Sequence, residues 1–211
     1  MNSLAQRAEE YGQGLAAIVL ALAVLMPPIR KVVETSMALH MLLQFPVLLL
    51  AGGLLAGQLP GSWLTHVARW NAYGATGLAL VGLNASLGMV PRLLDLALTD
   101  ARVEVMKCLA LALCGIALRL SWRRAGVIVQ GFFLGNVLPM MAIAGSLYID
   151  TPLRLCNQYR LDEQLRVGQS LIWLAGGVGA LWLARAVWLF SREDAPARTR
   201  NPPGNPCSSA K

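Results

Sequence analysis

The run Thr35-Ser36-Met37-Ala38-Leu39-His40-Met41-Leu42-Leu43-Gln44-Phe45-Pro46-Val47-Leu48-Leu49-Leu50-Ala51-Gly52-Gly53-Leu54-Leu55-Ala56-Gly57 contains no Asp, Glu, Lys or Arg. A helix rising about 1.5 Å per residue needs about 20 apolar residues to cross the hydrocarbon of a bilayer, so this stretch predicts a transmembrane helix. Working outward, five further apolar blocks of similar length follow the same rule, at 12–29, 70–90, 103–122, 125–148 and 167–190. The chain of 211 residues is 56% hydrophobic and 14% charged, with a mean hydropathy of +0.54. That is more apolar surface than a water-soluble core can hide. The expected fold is therefore all-α, a polytopic membrane helical bundle of about six transmembrane helices over residues 1–190. From Ser191 to Lys211 the composition turns to Pro, Arg, Ser and Asn, which cannot bury a core and predicts a disordered cytoplasmic tail.

The first block differs from a removable signal peptide. Glu9 and Glu10 interrupt its basic start, and it ends in Met26-Pro27-Pro28-Ile29-Arg30 without a small-x-small cleavage pattern, so it is expected to remain as a span. Positive charge in short loops marks the cytoplasmic side. Arg7, Arg69, Arg119, Arg123, Arg124 and the basic tail fall on one side; Glu34, Asp95, Asp100, Glu104, Asp150, Asp162 and Glu163 fall on the other. The expected placement is a bacterial inner membrane with both termini cytoplasmic. Arg119 and Arg185 lie near inner helix ends, where long basic side chains reach the interface, and intramembrane charge looks otherwise nearly absent.

Several function classes are excluded on this reading. The net charge of +7 is scattered over short loops and a tail, which does not make a nucleic-acid stripe and suits anionic membrane lipid instead. The four cysteines have neither CxxC nor zinc spacing. No nucleophile with its base, Walker loop, HExxH or dinucleotide glycine pattern is present, so no enzyme activity and no catalytic residue is expected. Gly52-Gly53-xxx-Gly57, Gly131-xxx-Gly135 and Gly176-Gly177 read as close helix packing.

Setting the blocks in register brings seven of the eight methionines toward the outer face. Met26 closes the first block, Met37 and Met41 open the second, Met89 closes the third, Met106 opens the fourth, and Met140 and Met141 lie in the outer part of the fifth. His40 sits between Met37 and Met41, and Met37, His40, Met41 and Gln44 approach one helical face. Thioether and imidazole donors suit Cu(I), which makes Met37, His40 and Met41 candidate metal ligands, with Met89, Met106 and Met140 as further candidates. The alternative is that flexible methionines fill gaps between helices and bind nothing. The second histidine, His66, falls in an inner loop, far in depth from His40, which disfavours a bis-histidine haem within one chain.

Two outer segments carry more polar groups than a connector needs. Residues 91–100 alternate so as to form a short helix in the interface, with Leu93, Leu94, Ala97 and Leu98 on one side. Residues 148–164 bring together Asp150, Asn157, Tyr159, Asp162 and Gln164, a candidate polar outer site. Asp162 and Glu163 precede the last block, so they equally suit the N-terminal dipole of its helix.

Met37-x-x-His40-Met41-x-x-Gln44, followed by Pro46 and Leu48-Leu49-Leu50-x-Gly52, and Asp162-Glu163-Gln164-Leu165 with Ile172-Trp173-x-x-Gly176-Gly177, resemble the CtaG-type cytochrome c oxidase assembly proteins. The resemblance covers about a fifth of the chain. It implies an inner-membrane accessory or assembly protein for a respiratory oxidase, with oxidase subunits as partners and copper as the metal handled. The alternatives are a small transporter or exporter and a purely structural membrane subunit.

Overall fold

A computed structural model describes residues 2–151 and 159–198. Those residues are mostly helical and contain no strand. Helix α1 (Asn2–Leu25) is followed by α2 (Pro27–Glu34), a π-helical segment (Leu39–Gln44), α3 (Phe45–Leu55), a short 3-10 turn (Ala56–Gln58) and α4 (Gly61–Trp70). Then come α5 (Ala75–Gly88), α6 (Pro91–Thr99), α7 (Ala101–Trp122), α8 (Val127–Asp150) and α9 (Leu161–Arg198).

Among the described residues three helical segments are long and apolar enough to cross a membrane: Leu39–Gln58, Val127–Asp150 and Leu161–Arg192. The first block supplies a fourth only if α1 and α2 count as one broken span, because they meet at 62°. Pro27 and Pro28 cause the break. A residue before proline is pushed to extended backbone, and Met26 has φ −58° and ψ 131°. The expected span 70–90 becomes α5, whose 14 residues reach only about 21 Å. The expected span 103–122 is one helix of 22 residues, but it carries Arg102, Glu104, Lys107 and Arg119. The residues around His66 form a helix and not a loop, with His66 exposed on it. Residues 91–99 do form the expected short helix, with Ala97 buried. Helix α9 continues to Arg198, so the first eight residues of the expected tail are helical.

The main packing pairs are α8 with α9, α3 with α7, α1 with α3 and α5 with α7. Glycine sets the closest of these. A Cβ on Gly52 would collide with the Ala112 carbonyl oxygen, and one on Gly115 with that of Leu49, so α3 and α7 touch backbone to backbone. Gly145 and Gly168 do the same for α8 and α9, each Cβ position lying 2.6–2.7 Å from the other residue's carbonyl oxygen. Among the described residues nothing packs against Gly135, Gly176 or Gly177, so their expected packing role is not met there.

Side-chain hydrogen bonds tie the other helix ends. Arg119 Nη1 donates to the Gly53 carbonyl at 2.8 Å and Nη2 to Gln13 Oε1 at 2.9 Å. Asn71 Nδ2 donates to Ser121 Oγ at 2.7 Å, and Asn71 Oδ1 accepts from Gly77 N–H at 3.1 Å. Gln130 Nε2 donates to the Trp122 and Ala125 carbonyls, closing the α7–α8 turn. Large apolar side chains such as Leu15, Trp173 and Leu181 remain exposed, as a hydrocarbon solvent allows.

Candidate functional site

The π-helical turns Leu39–Gln44 lie directly before Pro46, whose ring would clash with the Leu42 carbonyl in a regular α-turn. The wider turns relieve that clash, and such turns recur at functional positions. They present His40, Met41 and Gln44 to the interior, all buried. Met37, Met41, Tyr148, Tyr159, Val167 and Leu171 form one buried apolar cluster, with Met89 and Met141 packed against it.

Beside this cluster stands a chain of charged groups. Lys107 Nζ lies 2.6 Å from Glu104 Oε2 and 3.3 Å from His40 Nε2, and it also sits 5.6 Å from the Phe45 ring centroid. Glu104 is 2% exposed and Lys107 14%. Glu104 Oε1 accepts from the Cys108 thiol at 3.4 Å and lies 3.9 Å from Arg30 Nε, which donates to Glu34 Oε1 at 2.5 Å. Helix α2, α7 and the π-segment are thus joined through charge. These groups correct the expectation that charge within the apolar blocks is nearly absent. A signal for them existed: Glu104 and Lys107 are three residues apart, so they share a face of an otherwise apolar helix.

The imidazole is enclosed edge-on by Phe45, at 5.5 Å between centroids, with Tyr159 at 6.4 Å. An ammonium ion paired with Glu104 can only donate, so His40 Nε2 is the acceptor and Nδ1 carries the proton. Nδ1 and the Gln44 amide have no hydrogen-bond partner among the described residues. Neither ring nitrogen offers a lone pair to a metal while Lys107 stays in place.

The candidate ligands separate into two groups. Met37, His40 and Met41 are buried together with Met89 beside them. Met106 is 69% exposed on α7, and Met140 accepts a 3.1 Å hydrogen bond from Ser86 on α5. No group of three or more His, Cys, Asp or Glu side chains placed to hold a metal occurs among the described residues.

The polar outer site also divides. Tyr159 and Gln164 are buried, and Gln164 Nε2 donates to the Tyr148 carbonyl at 3.1 Å. Asp150 is exposed, and Asp162 is exposed and paired with Arg160 at 3.2 Å. Asn157 lies outside the described residues. Glu163, read from sequence as a cap of its own helix, accepts from the Met37 backbone N–H at 3.1 Å.

No protein-family model, no curated protein and no solved structure matches this chain.

Proposed function

We propose that this chain is an inner-membrane accessory or assembly protein for a respiratory cytochrome oxidase. One observation carries the reading. The two stretches that resemble the CtaG-type proteins are more than a hundred residues apart in sequence, yet they build one site. Glu163 accepts from Met37 N–H, and Met37 and Met41 share a buried cluster with Val167 and Leu171. Chance similarity in two apolar helices gives no reason for the two stretches to adjoin.

Copper fits this site only in part. Met37, Met41 and Met89 belong to one apolar cluster, and their thioethers are soft donors of the type that suits Cu(I). His40 is not available beside them, because Lys107 engages Nε2. The function proposed is therefore a scaffold for assembly, with His40 held by Lys107 and Glu104.

The test is to purify the tagged chain from its own membranes and to measure assembled oxidase, by haem spectrum and turnover, in a deletion strain. Co-purifying oxidase subunits and a fall in assembled enzyme are expected. Normal oxidase without co-purification would sink the reading. It would leave the small transporter, for which the Glu104–Lys107 pair inside a largely apolar helix is the favouring observation.

A further inference from the structure

Helix α8 packs against α9 and α5 with one side, on which Leu134 and Gly145 are buried. On its other side Ile128, Phe132, Gly135, Asn136, Pro139 and Ile143 are exposed. These six recur at three- and four-residue intervals, so they form one stripe along the helix. The stripe is apolar at both ends and polar in the middle. Asn136 stands about 4 Å from the midpoint of α8, well inside a hydrocarbon layer about 30 Å thick.

A polar group turned toward lipid at that depth has no water to bond with, and leaving it bare is costly. An amide carries two N–H groups and an oxygen that accepts. Asn136 Nδ2 donates to the Phe132 carbonyl at 2.7 Å, which uses one of those N–H groups. Pro139, inside the same helix, has no N–H to give to the Gly135 carbonyl four residues before it. The middle of the stripe therefore combines a donor with acceptors. Nothing lies within 4 Å of a Cβ built on Gly135, so a second backbone can come close there.

We propose that a second copy of this chain covers the stripe, with α8 packed on α8 and Asn136 exchanging hydrogen bonds with the Asn136 of the other copy. Two features of the patch select a second copy. Its donor and acceptors make it complementary to itself, which a two-fold interface requires. Both copies insert in the same direction, so the two-fold axis lies along the membrane normal and places each residue of α8 at the depth of its twin. An amide then meets an amide. The proposal does not depend on the oxidase reading.

The experiment counts photobleaching steps of the full chain, carrying one fluorescent tag, in vesicles of phosphatidylglycerol and phosphatidylethanolamine over a series of lipid dilutions. The wild type is expected to bleach in two steps and to dissociate on dilution. Asn136→Leu, an apolar change on an exposed face, is expected to raise the dissociation constant about tenfold, the effect of losing an interhelical hydrogen bond in a membrane. Gly135→Leu is expected to weaken the dimer as well, by holding the helices apart. Neither change is expected to lower the unfolding temperature in detergent, which separates loss of the dimer from loss of the fold. Leu181→Ala, on the exposed face of α9, serves as the control and is expected to change nothing. A monomeric wild type at every dilution, an unchanged dimer in Asn136→Leu, or an equal loss in Leu181→Ala would each overturn the proposal.

Discussion

The backbone N–H of Met37 donates to the Glu163 carboxylate at 3.1 Å, across 126 residues of chain. Met37 opens a helical segment, where the first N–H groups have no partner within the helix. A carboxylate there both accepts the bond and faces the positive end of the helix dipole. The last helix therefore caps the helix that carries His40.

From this relationship Glu163→Ala is expected to cost about 1 kcal/mol, the usual loss on removing a helix cap. Glu163→Gln keeps an oxygen acceptor and loses the charge, so its cost is expected to be smaller. Thermal unfolding of the detergent-solubilised variants checks the order. Equal stability of Glu163→Ala and wild type would mean that the cap contributes nothing.

Lys107 and Glu104 are expected to behave as a pair. Lys107→Met alone leaves a nearly enclosed carboxylate whose remaining cation is the more distant Arg30, and is expected to destabilise by about 3–5 kcal/mol. Removing both charges in Glu104→Gln/Lys107→Met is expected to recover most of that loss, because the unpaired charge is gone. Additive losses in the double variant, measured by chemical or thermal unfolding, would contradict a coupled pair.

The glycines give an expectation of opposite sign at similar motifs. Gly52→Ala is expected to cost a few kcal/mol or to prevent folding, since its Cβ meets the Ala112 backbone and a backbone cannot step aside. Gly176→Ala meets nothing within 4 Å and is expected to be neutral or slightly stabilising within α9. Expression yield and unfolding temperature of the two variants distinguish them. Comparable losses would mean that Gly176 faces a partner not seen within one chain.

These particulars show what the sequence makes legible. Apolar length reveals the helices of residues 39–58, 127–150 and 161–192, because that property is local. It overstates 70–90 and 103–122, since hydropathy averaged over a window conceals the late start of α5 at Ala75 and the charges on α7. His40, Met37 and Met41 are readable as a helical face. Lys107 as the group on His40 Nε2 is not, because it depends on how α7 is rotated against α3. The glycine contacts set that rotation: Gly52 and Gly115 interlock, whereas the similar Gly176-Gly177 do not. Gly145 and Gly168 lie in no repeated pattern, so only the packed structure identifies them as the α8–α9 contact.

The tautomer of His40 makes the last expectation concrete. While Lys107 donates to Nε2, the imidazole gives no lone pair to a soft cation, and Met37 and Met41 are left as weak neutral donors. Wild-type protein is therefore expected to hold Cu(I) poorly in titration against a competing chelator. Glu104→Gln/Lys107→Met frees Nε2, removes a neighbouring positive charge and adds a thioether, so it is expected to bind Cu(I) at least tenfold more tightly. Adding His40→Ala to that variant is expected to abolish the gain. Tight binding by the wild type, lost in both His40→Ala and Met37→Ala, would instead require Lys107 to leave the imidazole when the metal arrives. The charge pair would then be a gate on a copper site and not its replacement.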